Sequence, residues 1–267
     1  MTTAMTGLKG PLDASRVTGI LDDPRGLGIA LQPRVDLRTG ALLGVEALVR
    51  PYLHDGTGAS PGAFVEACER NQLTHRLTQQ VLARALEYAR GRDGSALDVP
   101  VAVNVSVLDL IDPLFPARVA DCLSRQDVPA GRLEIEVTET HPVPDAQLFT
   151  AATTIAGLRA LGVRVWIDDF GAGWGSLVRL RHWRVDGIKL DRCFGGRLDS
   201  CPRAGVIVAG LLSMAQELGL DTVIEGLESE ASIAAARDLG GGAGQGFAIA
   251  HPMTAPDLAH TWARETA

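Results

Sequence analysis

The order of segments in this 267-residue sequence predicts an α/β fold, a TIM-like (β/α)8 barrel modified by an antiparallel first strand. Short apolar runs of strand length alternate with longer runs of helical periodicity along most of the chain, which is typical of a mostly parallel sheet with helices outside it. The first two strand segments, 28–37 and 41–50, are joined at Thr39-Gly40, which predicts an antiparallel hairpin. A doubly wound open sheet is the alternative fold for the same alternation.

The elements after the hairpin are justified by periodicity and by glycine and proline breaks. Residues 61–71 and 74–90 are predicted helices, and the second places Leu77, Val81 and Leu82 on one face. The remaining strand segments are 99–106, 132–139, 163–169, 186–191, 221–226 and 245–250. The helices between and after them are predicted near 115–127 and 174–183, and at 146–161, 203–219, 229–239 and 256–265.

Composition bounds the class of protein. An apolar fraction of 46% is enough for a large core, and we expect an N-terminal arm and lead-in helix over 1–24 and one barrel over 25–267. The net charge of -7 argues against binding a nucleic-acid polymer or an anionic membrane surface. The sequence has no apolar run long enough to span a bilayer. Its four cysteines lack metal-binding spacing and are typical of reduced thiols, so a cytoplasmic protein is expected.

Oxygen-bearing side chains recur at the ends of the predicted strands. They are Glu46, Asn104, Glu136, Asp168, Asp169 and Glu225. In a barrel, the carboxyl ends of parallel strands meet at one face, where functional residues gather. Carboxylate and amide oxygens brought together in this way are the ligands that hard divalent cations require. The pattern therefore favours a metal-dependent enzyme, because so many carboxylates in one lumen need cations to stay ionised.

Lys189 is the one lysine within the predicted core. The chain has only one other lysine, Lys9, in the polar N-terminal arm, among 25 lysine and arginine residues. Strand alternation puts Lys189 on the same face as Gly187 and Asp191, and likewise puts Glu46, Leu48 and Arg50 on one face of their strand. A buried lysine in a chain that prefers arginine indicates that a compact ammonium group is needed there.

These motifs together resemble the EAL domain family, the cyclic di-GMP phosphodiesterase module of bacteria, over about residues 25–260. The matching segments are Gln32-Pro33, Gly44-Val45-Glu46-Ala47-Leu48-Val49-Arg50, Asn104-Val105-Ser106, Glu136-Val137-Thr138-Glu139, Asp168-Asp169-Phe170-Gly171-Ala172-Gly173, Lys189-Leu190-Asp191, Glu225-Gly226-Leu227-Glu228 and Gln245-Gly246-Phe247. Each alone is a weak signal, but eight in the family's order are specific. The resemblance implies hydrolysis of cyclic di-GMP to linear pGpG, with two Mg²⁺ or Mn²⁺ ions activating a water.

The resemblance also implies a role for each matched residue. One metal would be held by Glu46, Asn104, Glu136 and Asp168, and the other by Asp168, Asp169 and Glu225. Lys189, Glu225 and Glu46 would be the catalytic residues, with Lys189 orienting the water and Glu225 serving as a general base. The substrate would be bound by Gln32, Leu48, Arg50, Asp191 and Gln245. Glu139 and Glu228 would anchor the glycine-rich loop that follows Asp169.

The sequence departs from the family pattern without losing any implied metal ligand. Leu31 replaces the usual tyrosine, Pro51 replaces a tryptophan, and Ala172, Trp174 and Gly175 stand where threonine, tyrosine and serine are common. We expect these changes to affect the substrate rim and the rigidity of the loop. The family also implies a homodimer formed through this loop and the helix after it.

Two other functions remain open from the sequence. The first is a cyclic di-GMP-binding signalling module of the same family that cuts its ligand weakly or not at all. The second is an unrelated barrel metalloenzyme, such as a lyase that uses Lys189 as its base. The intact ligand set disfavours the first, and the paired Asp168-Asp169 disfavours the second.

Overall fold

The computed structural model describes residues 12–91, 98–138, 145–172 and 176–262. Its eight strands form a closed barrel in which each strand pairs with the next along the chain and β8 returns to β1. The strands are β1 Leu27–Asp36, β2 Leu42–Pro51, β3 Val101–Val105, β4 Leu133–Val137, β5 Arg164–Phe170, β6 Gly187–Leu190, β7 Asp221–Ile224 and β8 Ala243–Gly244. Closure confirms the predicted barrel and excludes the open sheet.

The first strand runs against both of its neighbours. β1 is antiparallel to β2, with Gln32 opposite Glu46, and antiparallel to β8, with Val35 opposite Gly244. All other neighbouring strands pair in parallel. The antiparallel first strand predicted from the hairpin is therefore confirmed, and the carboxyl ends of β2 to β7 meet at one face of the barrel.

Helices cover the outside of the barrel. They are α1 Ala14–Asp22, α2 Pro61–Arg70, α3 Thr74–Arg90, α4 Val107–Leu110, α5 Phe115–Gln126, α6 Asp145–Ala160, α7 Ser176–His182, α8 Arg192–Gly195, α9 Pro202–Glu217, α10 Glu230–Asp238 and α11 Ala255–Trp262. Asp13 caps the N-terminus of α1, since its side chain accepts a hydrogen bond from the amide of Arg16, and the helix buries Val17, Ile20 and Leu21. The division of the chain at residue 24 stays a prediction.

The core lies between the outward faces of the strands and the inward faces of the helices. Val101, Val103 and Val105 of β3 are all buried there, together with Leu77 and Leu82 of α3. The alternate residues of the strands point into the lumen, as their period of two requires. Most apolar packing thus lies in the outer layer, a small separate cluster is formed by Trp166, Val223 and Ala243, and the rest of the lumen is free to carry polar groups.

Two short helices were not anticipated, and both begin where a lumen strand ends. α4 follows β3 and is capped by the Ser106 hydroxyl, which accepts from the amide of Leu108. α8 follows β6 and is capped by the Asp191 carboxylate, which accepts from the amide of Cys193 at 2.8 Å. A single turn has too little periodicity to be read from sequence, although a serine or aspartate cap at a strand end is a local signal for it.

The last strand differs from its predicted position at 245–250. It consists of Ala243 and Gly244 alone, inside the glycine-rich segment. A Cβ on Gly244 would lie 2.5 Å from Leu37 Cδ2, and one on Gly246 would lie 2.2 Å from the Leu227 carbonyl oxygen. The chain needs glycine at both positions because it passes this close to its neighbours. The amides of Ile249 and Ala250 then bond to the Gly246 carbonyl, which turns the backbone away from the barrel.

Candidate active site

Lys189 lies at the centre of a ring of carboxylates inside the upper barrel. Its Nζ is 2.6 Å from Glu225 Oε1, 2.8 Å from Glu136 Oε2, and 3.1 Å from both Glu46 Oε2 and Asp168 Oδ1. Lys189 is fully buried, and Glu46, Glu136 and Asp168 are each less than 8% exposed. The ring thus brings together one residue from each of β2, β4, β5 and β6 with Glu225, which directly follows β7. The sequence predicted that these side chains meet at one face of the barrel.

The charges in this ring shift one another's protonation. Burial raises the pKa of Glu136 well above its ordinary value, and burial also raises the pKa of Asp168. Burial opposes the charged form of Lys189, but the surrounding carboxylates hold its pKa well above the usual range. Burial likewise disfavours ionised Glu46. The charge of Lys189 and the hydrogen bonds that Glu46 accepts nevertheless hold the pKa of Glu46 below its ordinary value. One ammonium group is thus shared by several carboxylates.

Asp168 and Asp169 are adjacent in sequence, yet both carboxylates reach the same site. The pairing of β5 with β6 shifts register between Ile167 and Phe170, and Asp169 has a φ of 51°, in the left-handed region. This bulge turns two successive side chains inwards where a regular strand would alternate them. Such strain in a residue other than glycine costs energy and is typical of functional sites.

The outer carboxylates hold protons more tightly than usual. Burial, together with the negative charge of Asp168, raises the pKa of Asp169 to about 7. Burial raises the pKa of Glu225 to about 8, and the nearby Lys189 only partly offsets this. Both groups therefore change charge near neutral pH, which is a property of many catalytic centres.

The donor set fits hard divalent cations. Oxygens of Glu46, Glu136 and Asp168 lie within 4.8 Å of one another, and so do oxygens of Asp168, Asp169 and Glu225. The two groups share Asp168, as a bridging ligand would require. Asn104 donates through Nδ2 to Glu46 Oε1 at 2.5 Å, while the buried Oδ1 of Asn104 has no hydrogen-bond partner among the described residues. The buried Oδ1 of Asp168 lies 3.1 Å from Lys189 Nζ, and a carboxylate oxygen in this position still has a lone pair to offer a metal.

The residues expected to bind substrate surround this ring. Gln245 donates to Glu46 Oε2 at 2.7 Å, and Gln32 lies opposite Glu46 on β1. Leu48 and Arg50 continue the lumen face of β2 beyond Glu46. Asp191 caps α8, which gives it a local structural role as well. The structure brings all five to the same face of the barrel, and their substrate contacts stay a prediction.

Two cavities open beside the ring. The first, about 270 Å³, is lined by Gln32, Glu46, Leu48, Asp168, Asp169, Arg192, Glu225, Gly226, Glu228, Gln245, Gly246 and Phe247. The second, about 710 Å³, lies between β2, β3 and helices α2 and α3, and it shares Leu48 and Asp169 with the first. An extended ligand could therefore lie across the metal-binding candidates with one part in each cavity.

Of the two predicted loop anchors, only Glu228 lies among the described residues. Glu139 lies outside the described residues, as do Trp174 and Gly175 of the loop. Glu228 lines the smaller cavity. The anchoring role of both glutamates stays a prediction.

A second polar layer below the ring was not assigned a role from sequence. Glu134 is fully buried and accepts from Arg34 Nη2 at 2.6 Å, with Arg164 Nη1 at 3.4 Å. The guanidinium groups of Arg34 and Arg164 lie 4.8 and 4.9 Å from the ring centre of Trp166. The strand period of two places Glu134, two residues before Glu136, on the same lumen face. Its partner could not be read from sequence, because Arg34 lies 100 residues away.

Comparison with known proteins follows the same lines. The sequence model of the family described as EAL domain matches residues 23–252. A Pseudomonas aeruginosa protein named cyclic di-GMP phosphodiesterase PA2567 is 32% identical over 90% of this chain and 40% of its own length. A Mycobacterium tuberculosis protein without an assigned function, Rv1354c, is 35% identical over 88% of this chain and 38% of its own length. The chain thus spans about two fifths of the length of these curated relatives.

This chain is also similar to proteins of solved structure. The PaMucR phosphodiesterase in complex with c-di-GMP is 32% identical with a TM-score of 0.79, over 88% of this chain and 94% of that one. The EAL domain of Mycobacterium smegmatis DcpA is 30% identical with a TM-score of 0.75, over 91% of this chain and 98% of that one. The chain itself has, within the described ranges, no helix of the length and apolarity that crossing a membrane requires. By the extent of the family match and the identity to its members, this chain belongs to the EAL domain family.

Proposed function

We propose that this chain hydrolyses cyclic di-GMP to the linear dinucleotide pGpG with the help of two divalent metal ions. The observation that carries this is the ring of Glu46, Glu136, Asp168 and Glu225 around the buried Lys189 at the carboxyl end of an EAL-type barrel. The name of the Pseudomonas aeruginosa relative and the ligand of the PaMucR structure support the substrate. Family membership also disfavours the unrelated lyase.

The residues present fit two Mg²⁺ or Mn²⁺ ions. Glu46, Asn104, Glu136 and Asp168 would hold one ion, and Asp168, Asp169 and Glu225 would hold the other. The ions would supply activation of a water and stabilisation of the charge that develops on the phosphoryl group. In the reaction the water oxygen bonds to phosphorus, the P–O3′ bond breaks, the 3′ oxygen takes up a proton from solvent to leave as a hydroxyl, and the phosphate stays on the 5′ oxygen.

The chain's own residues supply proton handling and orientation. Lys189 holds the ligand carboxylates together and presents a positive charge to the attacking oxygen. Glu225, the candidate general base, accepts the proton that the water loses. Arg50 and Gln32 contact substrate phosphate, and Asp191 and Gln245 hold the dinucleotide in place.

The test is direct. Purified protein is incubated with cyclic di-GMP in Mg²⁺, in Mn²⁺, in Ca²⁺ and in a chelator, and the products are separated by chromatography. We expect pGpG in Mg²⁺ or Mn²⁺ only, because the longer and more flexible Ca²⁺ coordination suits a tight two-metal site poorly. Intact substrate in all four conditions, combined with measurable substrate binding, would favour the signalling-module alternative instead.

We include a homodimer in this proposal. Leu177 and Val178, on the helix after the glycine-rich loop, are 61% and 51% exposed. Exposed apolar neighbours of this kind suit an isologous contact between two copies of one chain. Light scattering of the parent and of Leu177→Glu tests it, since a monomeric parent would remove the dimer from the proposal.

A further inference from the structure

Helix α9, between β6 and β7, carries apolar side chains on its outward face as well as on its inward face. The inward residues are buried, and they are Ala204, Val208, Leu212 and Ala215. On the outward face, Val206 is 74% exposed and Ile207 is 48% exposed. A helix on the surface of a globular protein normally turns polar residues towards solvent. The outward face of α9 therefore has the composition of a contact surface.

The only two charged residues of α9 lie at opposite ends of this outward face. Arg203 is in the first turn and Glu217 is the last residue, and both are exposed. Neither side chain forms an ion pair or a hydrogen bond within the described part of the chain. Both charges also oppose the helix dipole, which favours acidic residues at the N-terminus and basic residues at the C-terminus. The fold of a single chain thus gains nothing from these two charges.

Gly210 lies midway between Arg203 and Glu217. The interval from 203 to 217 is close to four helical turns, so all three residues lie on one stripe about 21 Å long. Gly210 is exposed, and a Cβ added there would meet no atom within 4 Å beyond the local backbone of the helix. None of the described neighbours therefore requires glycine, although glycine weakens a helix interior relative to alanine. Glycine at the centre of the stripe does let the backbone of a second helix approach closely.

We infer that α9 is a contact surface for a second copy of this chain, with the two α9 helices antiparallel about a two-fold axis at Gly210. Arg203 of one copy then meets Glu217 of the partner subunit at both ends of the contact. Val206 lies near Met214 of the partner subunit, on the apolar part of the same stripe. A parallel arrangement would place like charges together, which is unfavourable. The antiparallel pair makes this one patch its own complement, as an isologous contact requires.

This contact is separate from the one proposed at α7. Leu177 and Val178 belong to the helix between β5 and β6, whereas α9 lies between β6 and β7. Two different two-fold contacts join more than two copies, so the α9 contact links dimers into a larger assembly. One pair of helices buries less area than a standard stable interface, and association should therefore be weak and dependent on concentration.

The test measures self-association by sedimentation velocity over a series of protein concentrations. All proteins carry Leu177→Glu, which disrupts the contact proposed at α7, and we expect reversible association to remain. Arg203→Glu and Glu217→Arg should each raise the Kd about tenfold, because each places like charges together at both ends of the contact. The double variant Arg203→Glu/Glu217→Arg restores opposite charges and should return the Kd to within about twofold of the Leu177→Glu protein.

Thermal melts separate this contact from a role in the fold. Each reversal places a charge that suits the helix dipole, so the Tm of the monomer should stay equal or rise while association weakens. Matched controls are Arg38→Glu and Glu87→Arg, which reverse exposed charges outside α9 and should leave the Kd unchanged.

Three results would overturn the inference. The first is a Leu177→Glu protein that stays monomeric at every concentration, which would leave this face to a different partner. The second is a Kd that neither single reversal changes. The third is a double variant that associates no more tightly than the single ones, since the antiparallel pairing would then be wrong. The measurement uses neither cyclic di-GMP nor metal, so its outcome is independent of the proposed hydrolysis.

Discussion

Glu225 Oε1 lies 2.6 Å from Lys189 Nζ, and this pair joins the two groups of candidate metal ligands. Lys189 also reaches Glu46 and Glu136, which belong to one group, whereas Glu225 belongs to the other. A single ammonium therefore neutralises parts of both groups. The geometry explains why a lysine, with a compact charge on a flexible stem, occupies this strand position.

Replacing Lys189 should separate its role in the stability of the folded protein from its role in turnover. Lys189→Ala leaves several buried carboxylates without their cation, so we expect the metal-free protein to lose about 3–5 kcal/mol of unfolding free energy. Mn²⁺ should restore much of this stability but not turnover. Lys189→Arg should not rescue turnover, because a planar guanidinium does not fit the space of an ammonium. Thermal melts with and without Mn²⁺, together with pGpG formation, check this, and parent-like turnover in Lys189→Arg would contradict it.

Replacing Asp168 should weaken both metal sites at once. Asp168 is the residue common to the two ligand groups, so Asp168→Asn removes charge from each. We expect metal affinity and turnover to fall by roughly 100-fold or more. Glu46→Gln should affect one site only. Titration with Mn²⁺ counts the sites in parent and variants, and a parent-like rate in Asp168→Asn would show that the ligand assignment is wrong.

The stability of the metal-free protein should fall as the pH rises from about 5 to 9. The pKa values of Asp169 and Glu225 are raised to about 7 and about 8. A raised carboxyl pKa stabilises the folded state below the pKa of the unfolded chain, and this contribution is lost as the pH passes the folded value. Metal binding requires the ionised ligands, so the rise in Tm on adding Mg²⁺ should grow over the same interval.

The variant that tests this pH dependence is Glu225→Gln. It removes one titrating group, and the pH dependence of the metal-free Tm should become shallower. Melting curves at intervals of one pH unit measure this in both proteins. An increase in metal-free stability between pH 6 and pH 8 would contradict the protonation pattern.

Glu134 should matter for folding more than for catalysis. It is fully buried between Arg34 and Arg164, below the catalytic ring. Glu134→Ala leaves the buried Arg34 without its partner, so we expect a loss of about 3–5 kcal/mol in unfolding free energy. Denaturant titration measures the loss. The folded fraction at low temperature should keep its Mn²⁺ affinity, and a selective loss of metal binding with unchanged stability would contradict the structural role.

The sequence predicted the barrel, the reversed first strand and the convergence of the ring residues, because these follow from periodicity and from strand ends meeting at one face. It did not reveal the contacts that depend on distant partners, such as Glu134 with Arg34, or Trp166 between two arginines. The bulge at Asp168-Asp169 was also beyond its reach, since a strand pattern contains no signal for a shift of register. The predicted position of β8 was wrong for a different reason. Glycine is needed there for close packing, and its low strand propensity hid the strand in the sequence.

The two-residue β8 makes barrel closure part of the site's own architecture. Val35 and Asp36 of β1 meet this strand through only Ala243 and Gly244, and the next residue, Gln245, reaches Glu46 at 2.7 Å. A second fastening, between Leu31 and Met253, lies on the other side of Gln245. The pairing of β1 with β8, which like that of β7 with β8 involves only two residues of β8, thus lies directly beside a side chain that is bonded to the carboxylate ring. Ligand binding at the ring would stabilise the pairing of β1 with β8. Local opening of the barrel at this pairing and binding of the substrate are therefore thermodynamically coupled.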